Sequence, residues 1–334
     1  MTKPNIIQFV TDPQMLGLSI SPAQTTCLKS IYGMPLTKAE LALFQQCTGR
    51  RTPSPVGYPE ATIISGARGG KDSRIAAPTV LFEAIFGQHD QTASKGETPV
   101  VALVAQDTKA AGIAFGYIKG YLLKSPLLKS MLAGEPLAMS LRLTNGVVIQ
   151  CFPSTSTSMR GYSICTAILD EVAYFPLEGQ ADSDVQIQDS IFRGMINFDH
   201  TKLLKISTPW MKSGVLFQDY ESSYGKDDPD LFVWQASSQL MNPSLRTGVL
   251  DRMRRRNPAM AAREFDAIFT DDLQAFLPQP WIDAAVMKNR FGTAPNPQFS
   301  YLGAIDPTSD GSDTFTLAIG HAVQHGEDLF VIQD

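Results

Sequence analysis

The feature that most constrains the fold is a series of short apolar runs, each closed by polar or turn-forming residues. The runs "ATIISG", "PVVALVAQ", "GVVIQCF", "TAILDE" and "LLKISTP" are rich in Ile, Val and Leu. Such runs are typical of strands buried on both faces, as in a mostly parallel sheet. Segments with helical spacing lie between them, such as residues 107–132 and 186–198. This alternation predicts an α/β fold with helices on both faces of the sheet, and function at the carboxyl ends of the strands.

Composition and charge narrow the class of protein. The chain has 334 residues, 43% of them hydrophobic, enough for at least one substantial core in one to three domains. No window approaches the roughly 18 to 20 apolar residues of a membrane span, and the N-terminus lacks a signal-peptide pattern. We therefore predict a soluble, cytosolic protein without a membrane partner. The net charge of −5 argues against a uniformly basic surface; residues 251–258 form one dense basic cluster, which a solvated helix face would also explain.

A candidate phosphate-binding loop follows the first of these runs. The stretch "SGARGGKDSR", residues 65–74, lies between a predicted strand and a predicted helix, "DSRIAAPTVLFEAIF". A phosphate loop reads Gly-x-x-x-x-Gly-Lys-Ser/Thr, so that backbone N–H groups and the lysine bind the phosphates. Gly70 and Lys71 match this pattern, whereas Ser65 replaces the first glycine and Asp72 replaces the hydroxyl residue. A glycine-rich turn of purely structural purpose is the alternative.

The missing hydroxyl leaves two candidates for the side chain that meets Mg²⁺ at this loop. Asp72 can take the role itself, or a shift of one residue can let Ser73 supply the hydroxyl. A carboxylate close to a triphosphate adds like-charge repulsion that a hydroxyl does not. Ser73 is therefore favoured.

Two further strand ends carry polar residues suited to nucleotide hydrolysis. The run "AILDEVAYF" ends its strand at Asp170 and Glu171. On a strand neighbouring the loop strand, the first carboxylate would hold Mg²⁺ through water, and the second would polarise the attacking water. The run "LLKISTPW" ends in Ser207, Thr208 and Pro209, which could sense the γ-phosphate. The alternatives are a helix cap for the acids and an ordinary turn for the second group.

In their order, these motifs resemble those of the large subunit of the DNA-packaging terminase of tailed bacteriophages and prophages. The resemblance covers about residues 20–334 and also includes "SPAQTTCL", "LTNGVVIQCFPSTSTSMRGYSICTAILDEVAYF" and "AREFDAIFTDDLQAFLP". It implies an additional-strand, RecA-like P-loop NTPase followed by an RNase H-like nuclease domain. The implied parts are an N-terminal lid and adenine-contacting segment (1–60), an ATPase core (61–235), a helical linker (236–297) and the first nuclease strands (298–334).

The resemblance also implies roles for single residues. It makes Gln24 the adenine contact, and it makes Arg160 an arginine finger that reaches the ATP site of the next subunit, with Arg68 as a competing candidate. Asp306 matches the first metal-binding carboxylate of the nuclease. The remaining implied residues are the ATP-binding loop Gly66, Ala67, Arg68, Gly69, Gly70, Lys71, Asp72 and Ser73, and the coupling motif Ser207, Thr208 and Pro209.

The function implied by the resemblance is an ATP- and Mg²⁺-dependent motor that pumps double-stranded DNA into a procapsid. Its implied partners are the portal protein, the small terminase subunit and other copies of itself in a ring, in the host cell cytoplasm. A nuclease using Mg²⁺ or Mn²⁺ is expected in a longer parent and not in this chain, because the later carboxylates would come downstream. A helicase-like translocase and a non-hydrolysing DNA-binding assembly component are the alternatives.

Overall fold

The computed structural model describes residues 3–176, 183–270, 284, 295–306, 316–325 and 328–333. The chain divides into two compact units, Met1–Asp271 and Asp272–Asp334. Within the described residues, no helix has both the length and the apolar character needed to cross a membrane. The finer division into four parts, with boundaries after residues 60, 235 and 297, stays a prediction.

Seven strands build the sheet of the first unit. They are β1 (Glu60–Ser65), β2 (Pro99–Ala105), β3 (Ser140–Arg142), β4 (Val148–Pro153), β5 (Ser163–Asp170), β6 (Lys202–Ser207) and β7 (Leu231–Ala236). Their order across the sheet is β3-β4-β2-β5-β6-β1-β7, and every neighbouring pair is parallel except β3 and β4. The five strands expected from the apolar runs are confirmed, whereas the sequence analysis did not single out β3 and β7.

Helices connect the strands. They are α1 (Ile6–Thr11), α2 (Pro22–Ile31), α3 (Lys38–Thr48), α4 (Ala77–Phe86), α5 (His89–Thr92), α6 (Thr108–Lys124), α7 (Pro126–Lys129), α8 (Asp184–Met195), α9 (Gly214–Ser223), α10 (Ser238–Met241), α11 (Thr247–Arg256) and α12 (Pro258–Glu264). A π-helical turn, Lys71–Ala76, leads directly into α4, and a 3₁₀ turn, Val172–Tyr174, follows β5. The predicted helical segment 107–132 is interrupted at Ser125, because the residue before a proline is pushed out of the helical region.

The position of β6 determines how the carboxyl ends of β1 and β5 are arranged. It lies between β1 and β5 and is parallel to both. The expectation that the acidic strand neighbours the loop strand is therefore wrong, since one strand intervenes and sets the two about 9 to 10 Å apart. The register places Ser207 beside Ile64 and Asp170 beside Ile206, so that three carboxyl ends meet at one edge.

The apolar runs are explained by burial on both faces of the sheet. In β2, Val101 and Leu103 pack into the core on one face, whereas Val100, Ala102 and Val104 pack into the core on the other. Helices α4 and α6 contribute to the first core, and α8 and α9 contribute to the second. Strands enclosed in this way favour apolar residues on both faces, which removes the usual alternation. The expected helices on both faces are confirmed.

The second unit contains a three-stranded antiparallel sheet in its described part. Its strands are β8 (Tyr301–Asp306), β9 (Thr316–His325) and β10 (Asp328–Gln333), in the order β10-β9-β8. Asp306 ends β8 and is paired in register with Thr316, while its side chain lies outside the described part of the chain. The RNase H-like assignment of this unit stays a prediction.

Candidate nucleotide site

The loop between β1 and the helix that follows is shaped by close backbone approaches. A Cβ atom on Gly66 would lie 2.4 Å from Oγ of Ser238 and 2.5 Å from the carbonyl oxygen of Phe265. Gly70 has a φ of +86°, in the left-handed region that side chains disfavour. Both glycines are therefore required by the path of the backbone, and Gly70 turns the chain into the helix that begins at Lys71.

Three residues outside the loop form hydrogen bonds with its backbone, and we name them the loop clasp: Ser238, Asn242 and Glu264. The N–H of Ala67 donates to the carbonyl of Glu264 at 2.6 Å, and the Ser238 hydroxyl donates to the carbonyl of Ala67 at 2.6 Å. The Asn242 amide donates to the carbonyl of Arg68 at 3.1 Å. Sequence reasoning missed the clasp because these common polar residues lie more than 170 positions downstream and have no distinctive spacing.

Lys71 and Glu171 form an ion pair at the mouth of the loop. The Lys71 Nζ atom lies 2.7 Å from Oε1 of Glu171 and 3.8 Å from Oδ1 of Asp72. Burial would lower the pKa of Lys71, but the charges of Asp72, Glu171 and Asp170 outweigh burial and raise it. Lys71 therefore stays an ammonium ion. The predicted phosphate lysine and the predicted water-activating glutamate, 100 residues apart in the chain, are in direct contact.

Asp72 and Asp170 form a second, acidic pair beside this ion pair. Burial, the charge of Asp72 and the charge of Glu171, in this order, raise the pKa of Asp170 to about 8, against the opposing charge of Lys71. Burial likewise raises the pKa of Asp72. The Oδ1 atom of each carboxyl group is buried and accepts no hydrogen bond from the other described residues, and a hydrogen bond through a shared proton links the two acids. Carboxylate oxygens suit a hard divalent cation such as Mg²⁺, which would take the place of this proton.

The end of β6 holds the other oxygen of Glu171. The Ser207 hydroxyl donates to Oε2 of Glu171 at 3.0 Å, and the Thr208 N–H donates to the same oxygen at 3.3 Å. The Thr208 hydroxyl lies 3.3 Å from the Tyr174 hydroxyl, and Pro209 is buried after them. Glu171 itself has a φ of 54°, an uncommon value for a residue with a side chain. The end of β6 therefore fixes the orientation of the Glu171 carboxylate, which an ordinary turn would not do.

A cavity of about 1150 Å³ lies in front of these residues. Gln24 lines it, but its side chain is already engaged in the fold. The Nε2 atom donates to the carbonyl of Gly69 at 2.9 Å, and Oε1 accepts from the N–H of Ser21 at 2.9 Å. Gln24 therefore positions the loop, and its contact with an adenine base stays a prediction. The cavity is also lined by Ala67, Arg68, Gly70, Lys71, Asp72, Ser73, Glu171, Tyr174 and Thr208.

The two candidate arginine fingers lie in different places. Arg68 lines the cavity, and its charge lowers the pKa of Asp72, against the larger effect of burial. Arg160 is exposed in the turn before β5, whereas Asp170 ends that strand. An eight-residue strand is about 23 Å long. Arg160 therefore cannot reach the site of its own chain, and its role as an arginine finger for a neighbouring copy stays a prediction.

The metal-binding predictions have different outcomes. Within the described residues, no group of three His, Cys, Asp or Glu side chains is arranged to hold a metal ion. Ser73 lines the cavity, and Asp72 is the residue that the structure places against Asp170. A cation at this pair would complete its coordination with water and ligand oxygens. The side chain of Asp306 lies outside the described part, so its nuclease role stays a prediction.

The fold of this chain is similar to that of several solved structures. No family model and no curated protein matches the chain. The large terminase of bacteriophage HK97 is similar with a TM-score of 0.59 at 17% identity, over 98% of this chain and 67% of that chain. The chain has the large terminase fold. At this identity the likeness shows the fold alone.

Two other structures of the same fold bear on the nucleotide. A large terminase from a thermophilic bacteriophage, in complex with ADP, is similar with a TM-score of 0.54 at 15% identity, over 94% of this chain and 69% of that chain. The large terminase ATPase domain of Thermus phage P74-26 is similar with a TM-score of 0.51 at 17% identity, over 73% of this chain and 98% of that domain. The fold around the cavity described above is therefore that of a terminase ATPase domain.

Proposed function

We propose that this chain is a terminase large subunit that hydrolyses ATP to move double-stranded DNA into a procapsid. The observation that carries the proposal is the convergence of Lys71, Glu171 and Thr208 on one cavity at the carboxyl edge of the sheet. A fold hosts many functions, so the site has to decide among them. A lysine after a glycine-rich loop and a fixed carboxylate opposite it are the groups that phosphoryl transfer to water requires.

The described residues divide the chemistry among them. Lys71 and the loop backbone of residues 66–71 bind the phosphates, and Gln24 holds the loop in place through Gly69. Asp170 would hold Mg²⁺ through water, with Asp72 or Ser73 as the second contact, and this cation would neutralise phosphate charge. Each of these groups acts on charge or position, which is how most catalysis of phosphoryl transfer arises.

The Lys71–Glu171 ion pair describes the resting arrangement. Phosphate oxygens that take Lys71 compete with Oε1 of Glu171, which now lies 2.7 Å from the ammonium. Release of Oε1 frees it to orient a water molecule, while Ser207 and Thr208 keep hold of Oε2. Nucleotide binding therefore also frees Glu171 to act as the general base. The same two contacts on Oε2 connect Glu171 to β6, which supports the role of Ser207, Thr208 and Pro209 in coupling.

Arg160 acts at the site of the next copy in a ring. Its place at the far end of β5 excludes its own site, and a guanidinium group can stabilise charge spread over phosphoryl oxygens. Hydrolysis then depends on assembly. A ring on the portal protein, with the small terminase subunit as a further partner and the host cytoplasm as the compartment, belongs to the same proposal.

The DNA partner fits the basic cluster on α11. Arg254 forms ion pairs with Asp251 at 3.1 Å and with Asp266 at 2.6 Å. Arg252, Arg255 and Arg256 are exposed. Exposed guanidinium groups on one short helix suit the phosphate backbone of DNA, whose recognition needs no sequence information.

Hydrolysis of ATP by the assembled protein with double-stranded DNA tests the proposal. We expect Glu171→Gln to lower turnover by at least a hundredfold, the usual contribution of a general base. Glu264→Gln is the matched control, because this carboxylate lines the same cavity and pairs with Arg263 at 3.3 Å instead of Lys71. Failure of the wild-type chain to bind nucleotide would overturn the proposal. Binding without hydrolysis in the full assembly would favour a non-hydrolysing assembly component, and unwinding of a duplex would favour a helicase-like translocase.

A further inference from the structure

An arginine of α12 lies over a tryptophan close to the nucleotide cavity. The guanidinium carbon of Arg263 is 4.0 Å from the centroid of the Trp210 ring, and the Tyr174 ring contacts the same indole at 5.1 Å between centroids. We name these three residues the aromatic stack. Only 15% of the Arg263 side chain is exposed, and a cation over a tryptophan face is held more strongly where water is excluded. The aromatic stack is therefore a firm contact between α12 and the residues that follow β6.

The aromatic stack joins the two segments that orient Glu171. The 3₁₀ turn Val172–Tyr174 follows Glu171 directly, and the Thr208 N–H donates to Oε2 of Glu171 at 3.3 Å. The Tyr174 hydroxyl lies 3.3 Å from the Thr208 hydroxyl, and Trp210 is two residues beyond Thr208. The turn and the end of β6 are thus connected by the hydroxyl pair and by the ring contact. A shift of the indole would move both segments, and the Glu171 carboxylate with them.

Helix α12 contacts the opposite side of the cavity through its next residue. The carbonyl oxygen of Glu264 accepts from the Ala67 N–H of the phosphate loop at 2.6 Å. Arg263 precedes Glu264, and its Nε atom lies 3.3 Å from Oε1 of that residue. The last two residues of α12 therefore contact the loop that would bind phosphates and the stack that orients the carboxylate. The position of this helix sets the placement of one relative to the other.

We propose that Arg263 is a positioning residue for hydrolysis, acting on Glu171 through Trp210 and Tyr174. The inference rests on the proposed function, because it takes Glu171 to be the group that activates water. A misplacement of about 1 Å at a catalytic group can cost up to about a hundredfold in rate. Lys71 and the loop backbone bind phosphates without the stack. Loss of the stack should therefore slow the chemical step and leave nucleotide affinity unchanged, and a displacement of α12 would act in the same way.

Single-turnover hydrolysis by the assembled protein with double-stranded DNA, together with titration of a fluorescent ADP analogue, tests this role. Trp210→Leu removes the ring without changing a charge, and we expect a rate about tenfold lower, the scale of one shielded cation–π contact, at unchanged affinity. Trp210→Phe keeps an aromatic face and should retain most of the rate. Arg263→Lys keeps the cation and should be faster than Arg263→Ala. Arg51→Ala removes an exposed arginine outside the stack and should behave as the wild type does.

A double variant tests whether Arg263 acts through Trp210. Residues that act along one path have effects that do not add, so Arg263→Ala combined with Trp210→Leu should be as slow as the slower single variant. Multiplication of the two single effects would overturn this path. Equal thermal unfolding midpoints would show that the variants are folded. If Trp210→Leu unfolds earlier than the wild type, the comparison of Arg263→Ala with Arg263→Lys carries the test.

The outcomes separate this inference from the proposed function. If the wild type hydrolyses ATP and both Trp210→Leu and Arg263→Ala keep its single-turnover rate, the inference is overturned and the proposed function stands. Weaker nucleotide binding by Trp210→Leu at an unchanged rate would assign the stack to binding and would also overturn the inference alone. Failure of the wild type to bind nucleotide would overturn both.

Discussion

Replacement of Glu171 by Gln should make the protein bind nucleotide more tightly while it stops hydrolysis. The carboxylate neutralises Lys71 across 2.7 Å, and it competes with phosphate oxygens for the ammonium. A hydrogen bond between charged groups contributes about 1.5–3 kcal/mol. The Glu171 side chain is 36% exposed, so solvent screening reduces this to about 1 kcal/mol. Loss of the contact in Glu171→Gln therefore predicts an affinity about fivefold higher.

Equilibrium titration with a fluorescent ADP analogue, at fixed Mg²⁺, measures this change. Removal of any negative charge from the cavity would also favour a nucleotide, and Glu264→Gln reports this general effect because its carboxylate does not contact Lys71. The gain in Glu171→Gln should exceed the gain in this control. Equal affinities in wild type and Glu171→Gln, or the same gain in both variants, would refute the idea that the resting ion pair competes with nucleotide.

Three further changes test other parts of the molecule. Arg160→Ala should leave nucleotide affinity unchanged but lower turnover of the assembled protein by about a thousandfold, the usual scale for an arginine finger, and unchanged turnover would exclude the role. Gly66→Ala should abolish nucleotide binding, because the added Cβ would lie 2.5 Å from the Phe265 carbonyl oxygen, and wild-type affinity in a titration would contradict this close approach. Glu83→Gln should lower the free energy of unfolding by about 1.5–3 kcal/mol at pH 7, because Glu83 is buried and paired with His89 at 3.2 Å. Despite burial, hydrogen bonds to its carboxylate lower the pKa of Glu83, so the carboxylate stabilises the fold above its unfolded pKa of about 4.3. The difference in unfolding free energy between wild type and Glu83→Gln should therefore shrink as pH falls through the folded pKa. A difference that stays constant with pH in denaturant titrations would refute this role of Glu83.

The sheet and the order of the site residues could be predicted from local sequence. Strands buried on both faces leave an uninterrupted apolar run, and the polar residue that closes each run marks its carboxyl end. For this reason Asp170, Glu171 and Ser207 can be recognised as residues at strand ends, and Lys71 as a residue of the loop that follows a strand. Strand β7, "LFVWQA", could also have been predicted from its sequence, because it consists mostly of β-branched and aromatic or other apolar residues.

The order of the strands and the pairing of side chains could not be predicted in the same way. Nothing local to residues 202–207 shows that β6 lies between β1 and β5. Lys205 interrupts the apolar run of this strand, yet it is buried and paired with Asp219 at 2.7 Å and Glu60 at 3.3 Å. These partners come from distant segments, so only the folded chain makes such a lysine tolerable. The contact between Asp72 and Asp170 was hidden for the same reason.

The loop clasp also has a mechanical consequence. The Ala67 N–H is bonded to the last residue of α12, and the Ser238 N–H is bonded to the carbonyl of Phe265 at 2.7 Å. The chain runs from Phe265 towards Asp271, where the first unit ends. A pulling force applied to the chain at that point reaches β7 through the Gln235 amide, which donates to the carbonyl of Ala267 at 2.7 Å, and reaches the phosphate loop through the hydrogen bonds of Phe265 and Glu264. The loop therefore shares this force with the sheet, and its nucleotide affinity is expected to vary with the force on the polypeptide.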